Sequence, residues 1–288
     1  MFQLPDGDDA ARVADWVELE LCAGELSIAK SKVASLVEQS SGSEPGEAFL
    51  SDVWRHLRQR QERYSTTFYE LHGSHVERRD DVHDGQRVAY ETCLFFSLFG
   101  ASAQHRSDPK LFERLTAEAV RNYVGGESFV FGWPVLPDIQ VAIAARVQQV
   151  AIATRERFVE APAERYKDRG VDIITWKPFE EPNLATRRTC QYVLLSQCAA
   201  GRDWRGKTRE LPIKSWTQYI HWAADPCLSF AVSCVIGDDL WHDIAREVDG
   251  IVFDRIRLLN LLPEGVSDTG LGGEMLTWTL DQREEWRV

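Results

Sequence analysis

Gly170-Val171-Asp172-Ile173-Ile174-Thr175-Trp176-Lys177 and, further on, Tyr192-Val193-Leu194-Leu195-Ser196-Gln197-Cys198-Ala199 are the runs that decide the fold. Both are rich in β-formers, and a polar, Pro-containing segment separates them. This predicts strands over Val171–Trp176 and Gln191–Gln197, joined as a hairpin. Side chains two residues apart share a face, so Asp172, Ile174 and Trp176 point one way and Ile173, Thr175 and Lys177 the other.

Working outward, Ser128–Trp133, Leu228–Ile236 and Gly250–Phe253 read as further strands. Helical patterns cover Asp84–Phe99, Asp108–Tyr123 (opened by Asp-Pro), Asp138–Val159, Trp204–Glu210, Lys214–Trp222, Asp238–Val248 and Arg255–Leu262. Strands alternating with helices predict an α/β core over 84–262. Upstream, Asp8–Glu38 and Glu47–Arg63 carry helical periodicity on either side of the Ser/Gly-rich stretch 40–46. Region 1–83 is therefore expected to be a helical extension, and 263–288 a tail.

Charge narrows the function. Lys plus Arg number 33 against 45 Asp plus Glu, a net charge of −12, the wrong sign for a protein that coats nucleic acid by charge alone. Residues 1–27 hold seven acidic residues and one arginine; the segment reads as a solvated helix face, with a docking surface as the alternative. The six cysteines form no C-x-x-C pair, so a structural zinc is not expected. His72 and His75 stand at helical spacing in a stretch, Phe68–Val76, that reads as extended, so no ligand role is expected of them. No apolar run approaches the roughly 20 residues of a membrane span, and no secretory signal is visible, which predicts a cytoplasmic protein. P-loop, G-x-S-x-G and H-E-x-x-H motifs are absent.

Glu91 lies in the otherwise apolar helix Arg87–Phe96, where an unpaired carboxylate would be costly to bury. A helical Glu, then Gly-x-Asp on a strand, then a hairpin to a strand ending in Gln resembles the PD-(D/E)XK, or restriction-endonuclease-like, nuclease superfamily. The resemblance implies a central mixed sheet flanked by helices over about 84–262. It also implies a Mg²⁺ (or Mn²⁺) ion held by Asp172 and Gln197 with Glu91 assisting, and hydrolysis of DNA. The family's lysine, two residues past the second ligand, is replaced here by Ala199. Lys207 and Lys177 are the candidates for a relocated lysine, Lys207 being favoured, and an inactive nuclease-fold adaptor is the alternative.

Residues 187–214 gather seven basic side chains against two acidic ones. Arg187, Arg188, Arg202, Arg205, Arg209 and Lys214 are the expected phosphate contacts, with Lys207 kept for the site. An acidic nuclease-like chain without its own ATPase motif resembles subunits of bacterial anti-phage defence systems. That implies a partner such as an ATPase or helicase, with residues 1–63 as docking surface, the alternative being that those helices cap the core and the protein acts alone.

Overall fold

The computed structural model describes residues 1–5, 7–65, 67–100, 108–132, 142–160, 170–180, 189–209, 211 and 213–288. In chain order these form α1 (Ala10–Ala23), β1 (Ser27–Ala29), α2 (Lys30–Ser41), α3 (Glu47–Arg63), β2 (Tyr69–Leu71), β3 (His75–Arg78) and α4 (Asp84–Phe99). Next come α5 (Asp108–Val124), β4 (Glu127–Val130), α6 (Ile143–Ala153), β5 (Arg157–Phe158), β6 (Ile173–Lys177) and β7 (Tyr192–Ala199). A 3₁₀ turn, Trp204–Lys207, leads to α7 (Ile213–Tyr219), β8 (Ile220–His221), β9 (Cys227–Val232), α8 (Asp238–Val248), β10 (Ile251–Phe253), α9 (Arg255–Asn260) and α10 (Thr269–Trp286).

The chain divides into two compact units. The first comprises Met1–Ala101, Ala200–Arg202 and Arg255–Val288; the second comprises Ser102–Ala199 and Asp203–Asp254.

The second unit is α/β, built on a five-stranded mixed sheet of order β10-β9-β7-β6-β4. β6 and β7 pair antiparallel, Ile173 opposite Ser196 and Lys177 opposite Tyr192, as the two runs predict. β4 adds antiparallel to β6, while β9 and β10 add parallel beyond β7. A parallel neighbour needs a crossover, and the chain supplies one through α7 before β9 and another through α8 before β10. Ile174, Val193 and Leu195 face a core shared with Val147 and Val150 of α6 and Trp216 and Tyr219 of α7. Cys198 has the opposite parity from Leu195, and its thiol interacts with Thr116 of α5. So α5, which packs on β4, β6 and β7, covers the other side.

The first unit combines helices with a small antiparallel sheet of order β1-β3-β2. Two features depart from the reading of the sequence. Region 1–83 includes this sheet as well as helices, and 269–286 of the expected tail is a helix capped by Asp268, whose carboxylate accepts from Gly270 and Leu271 N–H. Moreover α4, expected to open the α/β core, packs on α1 and α10 in this unit, and α9 packs on α4.

The acidic first helix is not a solvated face. Trp16, Val17 and Leu19 are fully buried, and Asp15 and Glu18 are buried beside them. Arg60 Nη1 lies 2.8 Å from Asp15 Oδ1 and 3.1 Å from Glu18 Oε2; Arg255 Nη2 lies 2.6 Å and 2.9 Å from the same two oxygens. Two buried carboxylates are thereby matched by two buried guanidiniums, the condition under which such charges are tolerated inside a protein.

Candidate active site

Asp172 is held at the entrance to β6 by three elements. Gly170, at φ 76°, turns the chain in the left-handed region that glycine adopts without strain. Asp172 N–H donates to Ser196 O at 2.9 Å on β7, and Asp172 O accepts from both Phe131 N–H (2.6 Å) and Gly132 N–H (2.9 Å) just past β4. Two N–H groups on one carbonyl is the signature of a β-bulge, a device that re-aims side chains beside functional sites. The Asp172 carboxylate then enters the ladder itself, Oδ2 accepting from Cys198 N–H at 2.7 Å. Gln197, 4% exposed, is the residue between the two β7 positions that Asp172 contacts. The β7 backbone on either side of Gln197 thus lies against Asp172, while the Gln197 side chain has the parity of Leu195, opposite to Cys198.

The helical carboxylate at this place is Glu113, from α5. Glu113 and Lys110 stand one helical turn apart and are both buried, with Lys110 Nζ 2.6 Å from Glu113 Oε2. Both reach Gly132. A Cβ at that glycine would collide with Glu113 Oε2 and lie only 2.8 Å from Asp172 Oδ1 and 2.8 Å from Lys110 Nζ. Two carboxylates and an ammonium therefore converge on a space left open by a missing side chain. The Cys198 thiol beside them registers all three: burial first, then the charges of Asp172 and Glu113, push it well above its ordinary value, against Thr116 and Lys110.

Glu91 is carried by α4. It belongs to the first unit, where Arg283 of α10 grips it bidentately, Nε at 2.5 Å from Oε1 and Nη2 at 2.6 Å from Oε2. Burial pushes its carboxyl up while Arg283 opposes the shift. Its apolar helix packs on α1, α9 and α10 within that unit. Of the two lysines considered, Lys177 ends β6 and donates to Gly125 O, while Lys207 is exposed at the end of the 3₁₀ turn. Lys177 is five residues from Asp172, about 16 Å along a strand. The lysine beside the carboxylates is Lys110.

Lys110 and Glu113 had a signal in the sequence that went unused. A Lys-x-x-Glu pair falls on the same helical flank as Thr116 and Val120, placing two charges in an otherwise buried stripe.

The expected phosphate-binding residues do not form one block. Arg202 belongs to the first unit and the others described to the second. Arg205 stacks on the Trp204 ring at 5.6 Å, Arg209 pairs with Glu247 at 2.7 Å, and Lys214 is exposed on α7. Arg187 and Arg188 lie outside the described residues. Among the described residues no helix is long and apolar enough to cross a membrane.

No protein-family model and no curated protein matches the chain. Among solved structures it is similar to the restriction endonuclease FokI, at 8% identity and TM-score 0.24, covering 96% of this chain and 46% of that one. It is likewise similar to FokI bound to DNA, at 10% identity and TM-score 0.23, covering 96% and 47%. The chain spans about half the length of those it matches. Likenesses this loose carry no argument by themselves; the functional reading rests on the residues.

Proposed function

We propose that the second unit is a divalent-metal-dependent phosphodiesterase of restriction-endonuclease-like type, acting on DNA. The observation that carries this reading is the convergence of Lys110, Glu113 and Asp172 on the space beside Gly132, with Gln197 on the adjoining strand. With Glu113 in the place expected for Glu91, the order helical Glu, strand Asp, hairpin, strand Gln is the order the resemblance implies.

The donor set fits Mg²⁺ or Mn²⁺. Mg²⁺ takes hard oxygen ligands, commonly one or two carboxylates completed by water and substrate phosphate. Asp172 and Glu113 would supply the carboxylates, and the space at Gly132 lies among the charged groups; Gln197 adjoins on β7 with its side chain of the opposite parity to Cys198. When bound, such an ion lowers the pKa of a coordinated water and neutralises charge on the scissile phosphate. The Asp172 carboxylate is kept in place by Cys198 N–H. The Lys110 ammonium, oriented by Glu113, can hold the attacking water or the developing negative charge, the work assigned in this family to the lysine that Ala199 replaces. Exposed Arg205, Lys207, Arg209 and Lys214 supply basic side chains for the DNA backbone.

The chain's −12 charge repels DNA at long range. That favours an effector subunit delivered by a protein partner, such as an ATPase or helicase of a cytoplasmic anti-phage complex. Incubation with plasmid, linear and single-stranded DNA in Mg²⁺ or Mn²⁺ tests the activity. Cleavage abolished by EDTA and by Asp172→Asn is expected. DNA binding with no cleavage under any of these conditions would overturn the enzyme and favour an adaptor.

A further inference from the structure

A second set of convergent donors lies on the β2–β3 hairpin of the first unit, on side chains the nuclease reading does not use. The ladder sets Glu70 opposite Glu77 and Leu71 opposite Val76, and His72 N–H donates to His75 O at 2.9 Å across the turn Gly73-Ser74. Val76 is buried, so its neighbours His75 and Glu77 face outward. Cross-strand partners share a face, which puts Glu70 and His72 there too. One ligand atom from each of His72, His75 and Glu77 lies within 4.8 Å of the others. His72 Nε2 is 3.7 Å from Glu77 Oε2, and the imidazoles stack with centroids 4.5 Å apart.

Two independent features call for a cation here. Like charges directly opposite each other destabilise a strand pair, and Glu70 and Glu77 are such a pair. His72 Nε2 is shielded from solvent and makes no hydrogen bond. Of the cations nearby, Arg78 pairs with Asp80, Lys30 with Glu47, and Arg79, which also feels the charge of Glu70, with Asp81. On the neighbouring strand β1, Ser27 stands beside Glu77 and Ala29 beside His75, so small side chains leave the face open.

We propose that His72, His75 and Glu77 bind a divalent first-row transition metal, Zn²⁺ being the type case. Two imidazoles with a carboxylate suit zinc, copper or nickel, and are a poor set for Mg²⁺. Tetrahedral zinc with bonds of about 2.0–2.2 Å holds its donors roughly 3.3–3.5 Å apart, close to the 3.7 Å already separating His72 and Glu77. Water completes the shell, with Glu70 across the ladder. Because the two histidines straddle the turn, the ion would staple the hairpin and stabilise the folded chain by mass action.

Calorimetric titration of the EDTA-stripped full chain with ZnCl₂, under excess Mg²⁺, tests this. One zinc per chain is expected, together with a zinc-dependent rise in Tm. Both should persist in Asp172→Asn, which separates this site from the proposed nuclease centre. The doubly substituted His72→Ala/His75→Ala chain should bind at least about 100-fold more weakly and show no rise in Tm. Should that chain fail to fold, Glu77→Gln on the exposed face is expected to weaken zinc about tenfold. The proposal is overturned if the wild type takes up no zinc, if Asp172→Asn abolishes uptake, or if a folded hairpin variant binds as the wild type does.

Discussion

Lys110 Nζ and Glu113 Oε2 lie 2.6 Å apart on the first turns of α5, and each reaches the space beside Gly132 that Asp172 also faces. A lysine held by a carboxylate within reach of a second carboxylate is placed to act on water or on a charged phosphoryl oxygen. Lys110→Met keeps the stem and removes the charge. We expect it to lower the rate of metal-dependent plasmid nicking by roughly 10²–10⁴-fold, with Lys110→Arg restoring part of it. Wild-type nicking by Lys110→Met would remove the lysine from the chemistry.

Gly132→Ala tests whether the open space matters. The new methyl would collide with Glu113 Oε2 and crowd Asp172 Oδ1. Mn²⁺ affinity, read by calorimetry, is expected to fall at least about tenfold (about 1.4 kcal/mol). An unchanged affinity in a folded Gly132→Ala chain would show that the ion sits elsewhere.

Arg255 is fully buried, and its Nη2 contacts both Asp15 and Glu18. Arg255→Met leaves Arg60 alone to match two buried carboxylates, and breaking such a network costs about 3–5 kcal/mol. Urea unfolding should show a correspondingly lower midpoint. An unfolding free energy within about 0.5 kcal/mol of wild type would mean that the network contributes little.

Asp15 carries an acid dependence of defined sign. Burial alone would raise its carboxyl, but the charges of Arg255 and Arg60 and hydrogen bonds from Arg255 and Ser97 bring it down to about 2 from an ordinary value of 3.8. A carboxyl depressed in the folded state contributes its stability above the unfolded pKa and loses it as the pH falls through the folded one. Between about pH 4 and pH 2 the wild type should therefore lose stability more steeply than Asp15→Asn. Parallel stability curves over that window would contradict the assignment.

The β6–β7 hairpin was legible because β-branched and apolar runs carry their own signal, and the same runs put Asp172 at the entrance to β6 and Gln197 on β7. That Glu113 lies beside Asp172 was not legible. Glu91 and Glu113 are both buried helical carboxylates, and only tertiary packing decides that α5 lies on the sheet while α4 meets Arg283. Phe68–Val76 reads as extended, but its folding back into a hairpin at His72–His75 was not legible, because the strands are three and four residues long, too short to show alternation. α10 escaped because Gly272-Gly273 lies within it, and glycine is a poor helix former. Asp15 and Glu18 read as solvent-facing because their arginine partners lie far along the chain, at Arg60 and Arg255.

The most direct test sets Glu113→Gln against Glu91→Gln in Mg²⁺-dependent plasmid nicking, with rates normalised to folded protein. Glu113→Gln is expected to lose at least about 100-fold of the wild-type rate (about 2.7 kcal/mol), and Glu91→Gln, once folded, to nick at the wild-type rate. Full activity in Glu113→Gln, or a folded but inactive Glu91→Gln, would contradict a catalytic centre built on α5, β6 and β7.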